Sequence, residues 1–543
     1  MMGIFRNNQR SRCVIKFLKA NNPFEGKKFP KLSAVFILLI LISNLITSCY
    51  LPQSDSPNPI RSDQQKTAVA GILNPPGLQT PKASPAPTTY HPTQAVPTTE
   101  SANTPLEVFD GELSYTVQQG DTLPALIARF GVSPGSIRSN EVLSVEELLP
   151  IGLHLAIPDV LDETLLNAEL VLPDSEVIYG PSVGGFNAAD YAHQADGFLA
   201  SYSESVKGEV LLGPDIIQIV ALETSTNPRL LLAILEYQSG WVLGHPPGAE
   251  KDEFPIGFGA LDTGLYNELM ITAKLLAQGF YGWRYGNLLE LTFFGGSNGR
   301  LSPGLNAGSV SIMHLFAAIS SPQGWEASLF GESSFPTFYK EMFGDYWART
   351  EAVEPYLLST TEQPELVLPF HPGERWSLTG GPHITWQTGT PRGALDFAPI
   401  TGEPQCAVSE KWVTAAAPGL VVRTSRSVVA VDLDGDGDEG TGWVLIYQHI
   451  AEKDRVTLGT WLDQDALVGH PSCEGGHSTG THVHFARKFN GEWVGVDDPL
   501  PLVLSGWRAY AGEGRYEGIL QKGEEIVNAQ QNGASGSTII RDN

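Results

Sequence analysis

The heptapeptide Gly480-Thr481-His482-Val483-His484-Phe485-Ala486 constrains this chain more than any other stretch. Alternate side chains of an extended strand project to the same face, so His482 and His484 present two imidazoles to one side while Val483 faces the core. Two imidazoles on one strand face make a natural corner for a metal ion. Short alternating runs at Trp412 to Arg423, Ser427 to Val431 and Trp443 to Ile450, with frequent Gly, Trp, Val and Pro, predict an antiparallel β-rich domain over 364–512. Seven of the chain's twelve histidines fall between His371 and His484, so any imidazole chemistry is concentrated there.

Two further fragments add to that corner. Thr379-Gly380-Gly381-Pro382-His383, followed by Ala394-Leu395-Asp396-Phe397-Ala398, contributes a third imidazole and a carboxylate. A set of two histidines and one aspartate with one position left open is the arrangement of a catalytic zinc site. Ile446-Tyr447-Gln448-His449-Ile450 ends a strongly alternating strand and brings one more histidine within range of such a metal's water.

These fragments, in this order, resemble the lysostaphin/LytM-type peptidases, particularly their LasA-like and β-lytic branch. The resemblance implies an antiparallel fold of the duplicated hybrid motif type and a zinc ion held by His383, Asp396 and His484. It also implies that His449 and His482 orient and deprotonate the attacking water and stabilise the tetrahedral intermediate, and that the substrate is a peptide bond of peptidoglycan. One departure stands out: Asp396 follows His383 by thirteen residues, across a loop containing Trp386, where compact members place the acid only a few residues on. The LasA-like branch also has a longer loop.

The remaining features of this domain carry weaker signals. His371 is assigned to a turn, and His470 and His477, which flank Cys473 in a Gly-rich loop, to solvent-facing positions. Asp432, Asp434, Asp436 and Asp438 alternate as the carboxylates of a calcium loop do, but Trp443 stands where a bidentate glutamate would be the twelfth residue. A calcium site and a solvated acidic turn both remain open.

Upstream, 189–358 reads as an all-α domain, with helices expected at Pro214 to Ala221, Arg229 to Tyr237, Gly264 to Gln278 and Gly308 to Ser320. Within it, Asn227 to Trp241 (NPRLLLAILEYQSGW) resembles the helix of lysozyme-like lytic transglycosylases that ends in a catalytic glutamate before Ser-Gly. Gln238 occupies that position, and an amide cannot protonate a glycosidic oxygen. Glu236, two residues away, is rotated by about 200° around a helix and faces elsewhere. The expectation is a silent lysozyme-like scaffold, with an unrelated helical connector as the other reading.

A connector at 159–188 separates this domain from a small module at 113–158, which reads strand, turn, helix, short helix, strand, with Asp121 as the helix cap. The stretches YTVQQGDTLPALIARFGVSPGSIRSNE and LPIGLHLAIP resemble a LysM domain, a βααβ module whose family binds N-acetylglucosamine polymers such as peptidoglycan. A small helical unit with no ligand is the alternative.

The N-terminus carries eight Lys/Arg before an apolar run from Ala34 to Ile46 that is too short to span a bilayer comfortably, the shape of a secretory signal. Ile46-Thr47-Ser48-Cys49 resembles a bacterial lipobox, which implies a signal peptide over 1–48 and lipidation of Cys49; simple secretion is the other reading. The Pro/Ser/Thr-rich 49–112 cannot bury enough apolar area to order itself and reads as a linker. The tail 513–543, Gly-rich from Asn532 to Ser537, reads as flexible. With Cys13 in the signal and Cys49 lipidated, Cys406 and Cys473 remain, either as one disulfide or as two buried thiols.

The formal charge is −26, and removing the leader, with eight cations against Glu25, leaves −33. That charge disfavours nucleic acid as a partner. The whole reads as a multidomain α+β protein outside the cytoplasm, with partners in peptidoglycan and, through the lipid anchor, a membrane. Its function reads as a cell-wall zinc endopeptidase. A non-catalytic peptidoglycan-binding scaffold or amidase activator is the competing class, against which stands the presence of all five polar positions.

Overall fold

Period-two alternation between Arg375 and Ile540 builds a nine-stranded antiparallel sheet. Across it run Trp461–Leu462, Gly419–Arg423, Val428–Asp432, Trp443–Gln448, Val483–Phe489, Arg392–Pro399, Arg375–Ile384 and Thr538–Ile540, with Glu492–Trp493 pairing Val483–Phe489 beside this path. The computed structural model describes residues 106–162, 164–258 and 263–542. The expected signal peptide, Cys49 and the linker up to 105 lie outside the described residues. Among the described residues no helix is long and apolar enough to cross a membrane.

Both faces of the sheet are buried. Val429, Val431, Leu445, Tyr447, Val483 and Phe485 point into one core with Trp376, Leu502, Trp507 and Leu520. Their alternate neighbours Val428, Ala430, Val444, Ile446 and Ala486 point the other way, into a second core built mainly by helices of the preceding domain. An apolar strand such as Val428–Asp432, buried at every position, needs a cover on each side.

The helices of that cover run Gly213–Thr224, Pro228–Ser239, Leu265–Arg284 and Ala307–Ile319, over the expected spans. Pro228 sits in the first turn, where its missing N–H costs nothing, and the Asn227 side chain accepts from the Arg229 amide. The domain is not purely α-helical. Two hairpins, Ser203–Val206 with Glu209–Leu212 and Glu290–Thr292 with Asn298–Arg300, turn on Lys207-Gly208 and Gly295-Gly296 in left-handed backbone, a turn chemistry hidden among helical periods.

The small N-terminal module pairs Glu112–Thr116 with His154–Pro158, and the short strand Arg138–Ser139 lies on the other side of the latter. Thr122, not Asp121, caps its helix Leu123–Phe130. Asp121 is buried instead, accepting from the Tyr115 hydroxyl at 2.6 Å and pairing with Arg129 at 2.8 Å. The module is docked. Arg284, at the end of Leu265–Arg284, donates to Glu492 of the sheet domain at 3.0 and 3.1 Å, to Asp174 at 3.0 Å and to the carbonyl of Gln119 at 2.6 Å. One buried guanidinium thus ties three sequence segments together.

A second buried ionic group lies where helices meet sheet. Glu439 accepts from Arg423 at 2.7 and 2.8 Å and from Lys488 at 2.6 Å, and the Lys488 ammonium lies 3.5 Å from Ser225 of the helical domain. Burial pushes the Glu439 carboxyl up, but the two cations outweigh it and hold it at about 2.

The expectation of a flexible tail is overturned. Val503–Leu504, Trp507–Ala511, Gly518–Lys522 and Glu525–Asn528 form a four-stranded meander, and Thr538–Ile540 closes the edge of the main sheet against Arg375, Trp376 and Ser377. Ile539 is buried, and Arg541 donates to the carbonyl of Phe370 at 2.9 Å and pairs with Asp465. The glycines of Asn532 to Ser537 make a turn between paired strands rather than a loose end.

Deleting residues 533–543 should lower unfolding stability by about 2–4 kcal/mol, the cost of an unpaired sheet edge and a lost buried aliphatic contact, measured by denaturant melts. Because the folded Glu439 value lies below its ordinary 4.5, its stabilisation is present above pH 4.5 and fades as pH falls towards 2. Glu439→Gln should flatten the acid limb of a stability-versus-pH curve in that window.

Candidate metal centre

Strand register brings the predicted groups together. His484 faces Asp396 across one pairing, and Asp396 faces Gly380 across the next. A bulge between Gly380 and His383 then swings the third imidazole over the carboxylate. Both glycines of this turn are needed for close approach: a Cβ on Gly380 would run into the Asp396 carboxylate, and one on Gly381 would lie 2.7 Å from the backbone of Glu517.

Three donor atoms converge. His383 Nε2 lies 3.0 Å from His484 Nδ1 and 3.4 Å from Asp396 Oδ1, and His484 Nδ1 lies 3.2 Å from the same oxygen. Donors about 2.0–2.1 Å from a tetrahedral ion stand roughly 3.3 Å apart, so this triangle has the size of a zinc face. The other nitrogen of each ring faces a backbone carbonyl, His383 Nδ1 to Gly381 O at 2.8 Å and His484 Nε2 to Thr385 O at 2.9 Å. A carbonyl only accepts, so each ring spends its N–H outward and turns a lone pair inward. Two lone pairs and a carboxylate oxygen therefore meet in a buried space. Asp396 Oδ1 is buried without a hydrogen-bond donor. A cation resolves that repulsion, and the residues fit zinc.

The remaining pair sits alongside. His482 precedes the strand Val483–Phe489, with Nε2 3.6 Å from Asp396 Oδ1 and Nδ1 2.7 Å from the carbonyl of Gly480. His449 leaves the strand Trp443–Gln448 in left-handed backbone, φ 65°, a conformation costly for a non-glycine residue and common where function imposes it. Its Nδ1 faces the carbonyl of Glu474 at 2.9 Å, and its ring centre lies 4.6 Å from that of His482.

The electrostatics follow from burial and proximity. Burial would raise the Asp396 carboxyl, but the surrounding imidazoles, His383 foremost, hold it well below the usual carboxylate range. Burial pulls the His383 ring down and the carboxylate more than restores it. For His449, burial and the neighbouring His482 act together and depress the ring to about 4, so it is neutral at pH 7.

Cys406 and Cys473 are joined in a disulfide. His477 is exposed as expected, but His470 is not: it is buried, with its Nδ1 2.9 Å from the Lys411 carbonyl and its ring centre 3.9 Å from that of Trp412. Trp412 opens a predicted strand run, which is the signal that could have placed an aromatic there. In the acidic run, Asp432, Asp434 and Asp436 gather with ligand atoms within 4.8 Å, while Asp438 turns away to accept from the Gly440 amide. Burial pushes Asp432 up to about 7, and it takes the amides of Asp434, Gly435 and Gly437.

One contributor was missed in the sequence. Tyr516, in the tail expected to be loose, has its ring centre 4.5 Å from that of His383, and its carbonyl accepts from the Gly381 amide at 2.9 Å. The alternation of Trp507 to Ala511 was the available clue that the tail folds back on the site.

Comparison with known proteins finds likenesses over parts of the chain. Residues 170–356 match the family model described as LasA, N-terminal domain. The chain is 25% identical over 295 residues to protease LasA of Pseudomonas aeruginosa, a match that takes in 50% of this chain and 65% of that protein, so it spans just under two thirds of that relative. It is 29% identical over 159 residues to the β-lytic metalloendopeptidase of Lysobacter enzymogenes, covering 28% of this chain and 83% of the relative. Among solved structures, it is similar to the M23 metalloprotease pseudoalterin, at 25% identity over 31% of this chain and 96% of that one, with a TM-score of 0.26.

The donor triangle predicts one zinc ion per chain. His383→Ala and His484→Ala should each lose stoichiometric zinc after dialysis, while His449→Ala should keep it, as read by atomic absorption.

Proposed function

We propose that this chain is a zinc-dependent endopeptidase of the LasA and β-lytic kind that hydrolyses peptide bonds in peptidoglycan. The observation that carries the reading is the buried convergence of His383, Asp396 and His484 on one point, each imidazole held by a carbonyl on its far side. Similarity over part of this chain to protease LasA and to the β-lytic metalloendopeptidase supports it.

In this reading His383, Asp396 and His484 hold the ion. When bound, zinc acidifies water and polarises the scissile carbonyl. His449, neutral and with its N–H spent on Glu474, offers a lone pair that accepts a proton from the attacking water and returns it to the leaving amine. His482, its Nδ1–H spent on the Gly480 carbonyl, presents Nε2 as a second acceptor and shares that task. The Tyr516 side chain packs against His383 and forms one wall of the site. No covalent intermediate is required.

The helical domain takes no part in bond cleavage. Its Glu236 accepts the amides of Val242 and Leu243 at 2.6 and 2.9 Å, which occupies the one carboxylate near Gln238 in the lysozyme-like segment. The LysM-like module supplies affinity for N-acetylglucosamine strands, and Cys49 a lipid anchor outside the cytoplasm.

Purified protein should release new amino groups from peptidoglycan and no new reducing ends. Its kcat should fall by about a hundredfold or more in His449→Ala and in His482→Ala with zinc retained. New reducing ends without new amines would overturn the peptidase reading.

A further inference from the structure

The four histidines divide by what holds them. His383 and His484 are fixed by the carbonyls of Gly381 and Thr385, which belong to the hairpin that also carries the carboxylate's neighbours. His449 and His482 are fixed by the carbonyls of Glu474 and Gly480, and both of these lie in a single loop between Ser472 and Thr481. That loop lies outside the strands and contains Gly475 and Gly476 in consecutive left-handed backbone, and its internal ties are side-chain ones: the Glu474 amide donates to Ser472 Oγ at 3.0 Å and Ser478 Oγ donates to the Gly480 carbonyl at 2.8 Å. Further ties come from the segment around Cys406. Cys473 is bridged to Cys406, Thr481 donates to the carbonyl of Ala407 at 2.7 Å, and Gln405 donates to the carbonyl of Thr479.

The segment on the far side of the bridge is itself anchored. Glu403 accepts from the Ser409 hydroxyl at 2.7 Å and the Glu410 amide at 2.8 Å, and the Ser409 amide donates to Pro471 O at 3.1 Å. Glu474, whose carbonyl sets the His449 ring, is the residue directly after the bridged Cys473.

Resting on the peptidase reading, we propose that the Cys406–Cys473 disulfide is a positioning element for the two proton-handling histidines and is dispensable for the metal set. The bridge holds the Glu474 and Gly480 carbonyls where each receives an Nδ1–H, which leaves Nε2 of His449 and His482 as acceptors facing the reaction. Which nitrogen of a neutral imidazole carries the proton is set by the hydrogen bond of the other. With the bridge open, the loop releases those carbonyls, and the rings populate the opposite tautomer, which cannot take a proton at Nε2. Zinc binding is untouched, because its imidazoles are held elsewhere.

The test compares the full chain with Cys406→Ser/Cys473→Ser. The double variant should keep one zinc per chain and a KM within about twofold, while kcat falls about 10–100-fold, the usual effect of losing an outer hydrogen-bond partner. In 15N-histidine NMR spectra, the Nδ1–H pattern of His449 and His482 should give way to mixed tautomers, while the signals of His383 and His484 stay. Wild type treated with a non-chelating phosphine reductant, then reoxidised, should lose and regain kcat in the same way, and serves if the variant folds poorly. Unchanged kcat and tautomers, loss of zinc in step with activity, or unfolding of both open forms would overturn the proposal. If wild type cleaves no peptide bond, the functional reading fails, and the tautomer comparison still judges the bridge by itself.

Discussion

The Asp396 carboxylate, buried between inward-facing imidazole lone pairs, is the constraint on which the rest of the site depends. An oxygen with no donor, 3.2–3.4 Å from two nitrogens that have already spent their protons, is unfavourable without a positive charge among them. Everything nearby serves to keep that arrangement from relaxing. Strand pairing sets Asp396 against His484, Gly380 leaves room for the carboxylate, and backbone carbonyls fix both ring orientations. The metal set is therefore pre-organised by the sheet, which is how an ion would be held with geometry already in place.

The sheet can do this because both of its faces are covered. The metal-facing side of the strand Val483–Phe489 continues through Ala486 and Lys488 into the interface with the helical domain, so the site lies on the face those helices pack against. Two buried ionic groups, around Arg284 and around Glu439, pin this contact and the N-terminal module to it. Buried ion pairs contribute less to net stability than they do to a defined arrangement, because desolvation offsets much of their attraction. Here that arrangement is the alignment of three sequence segments as one body.

Much of the site was legible in the sequence, because period-two alternation and local histidine spacing are enough to place imidazoles on a strand face. His482, His484, His383 and Asp396 do meet, the long loop from His383 to Asp396 notwithstanding, since the bulge before His383 absorbs the mismatch. What escaped depends on contacts between distant segments. Tyr516 reaches the site only because the meander after Trp507 packs back on the hairpin at Gly381, and polar, glycine-rich composition masked those strands as a loose tail. The sequence around His470 points it to solvent, because nothing local announces the Trp412 ring that covers it. Local sequence offers Asp121 as a cap, because caps are local, while its partner Arg129 lies two helical turns away. The alternating carboxylates of Asp432 to Asp438 look like one set in the sequence, and the turn at Gly437 separates the last from the other three.

X-ray absorption at the zinc edge on the full chain tests the central claim most directly. The account predicts a single four-coordinate zinc with two imidazole nitrogens and oxygen donors at about 2.0–2.1 Å, and loss of one imidazole shell in His484→Ala. A chain that binds no zinc, or a metal shell that loses an imidazole in His449→Ala instead, would contradict it.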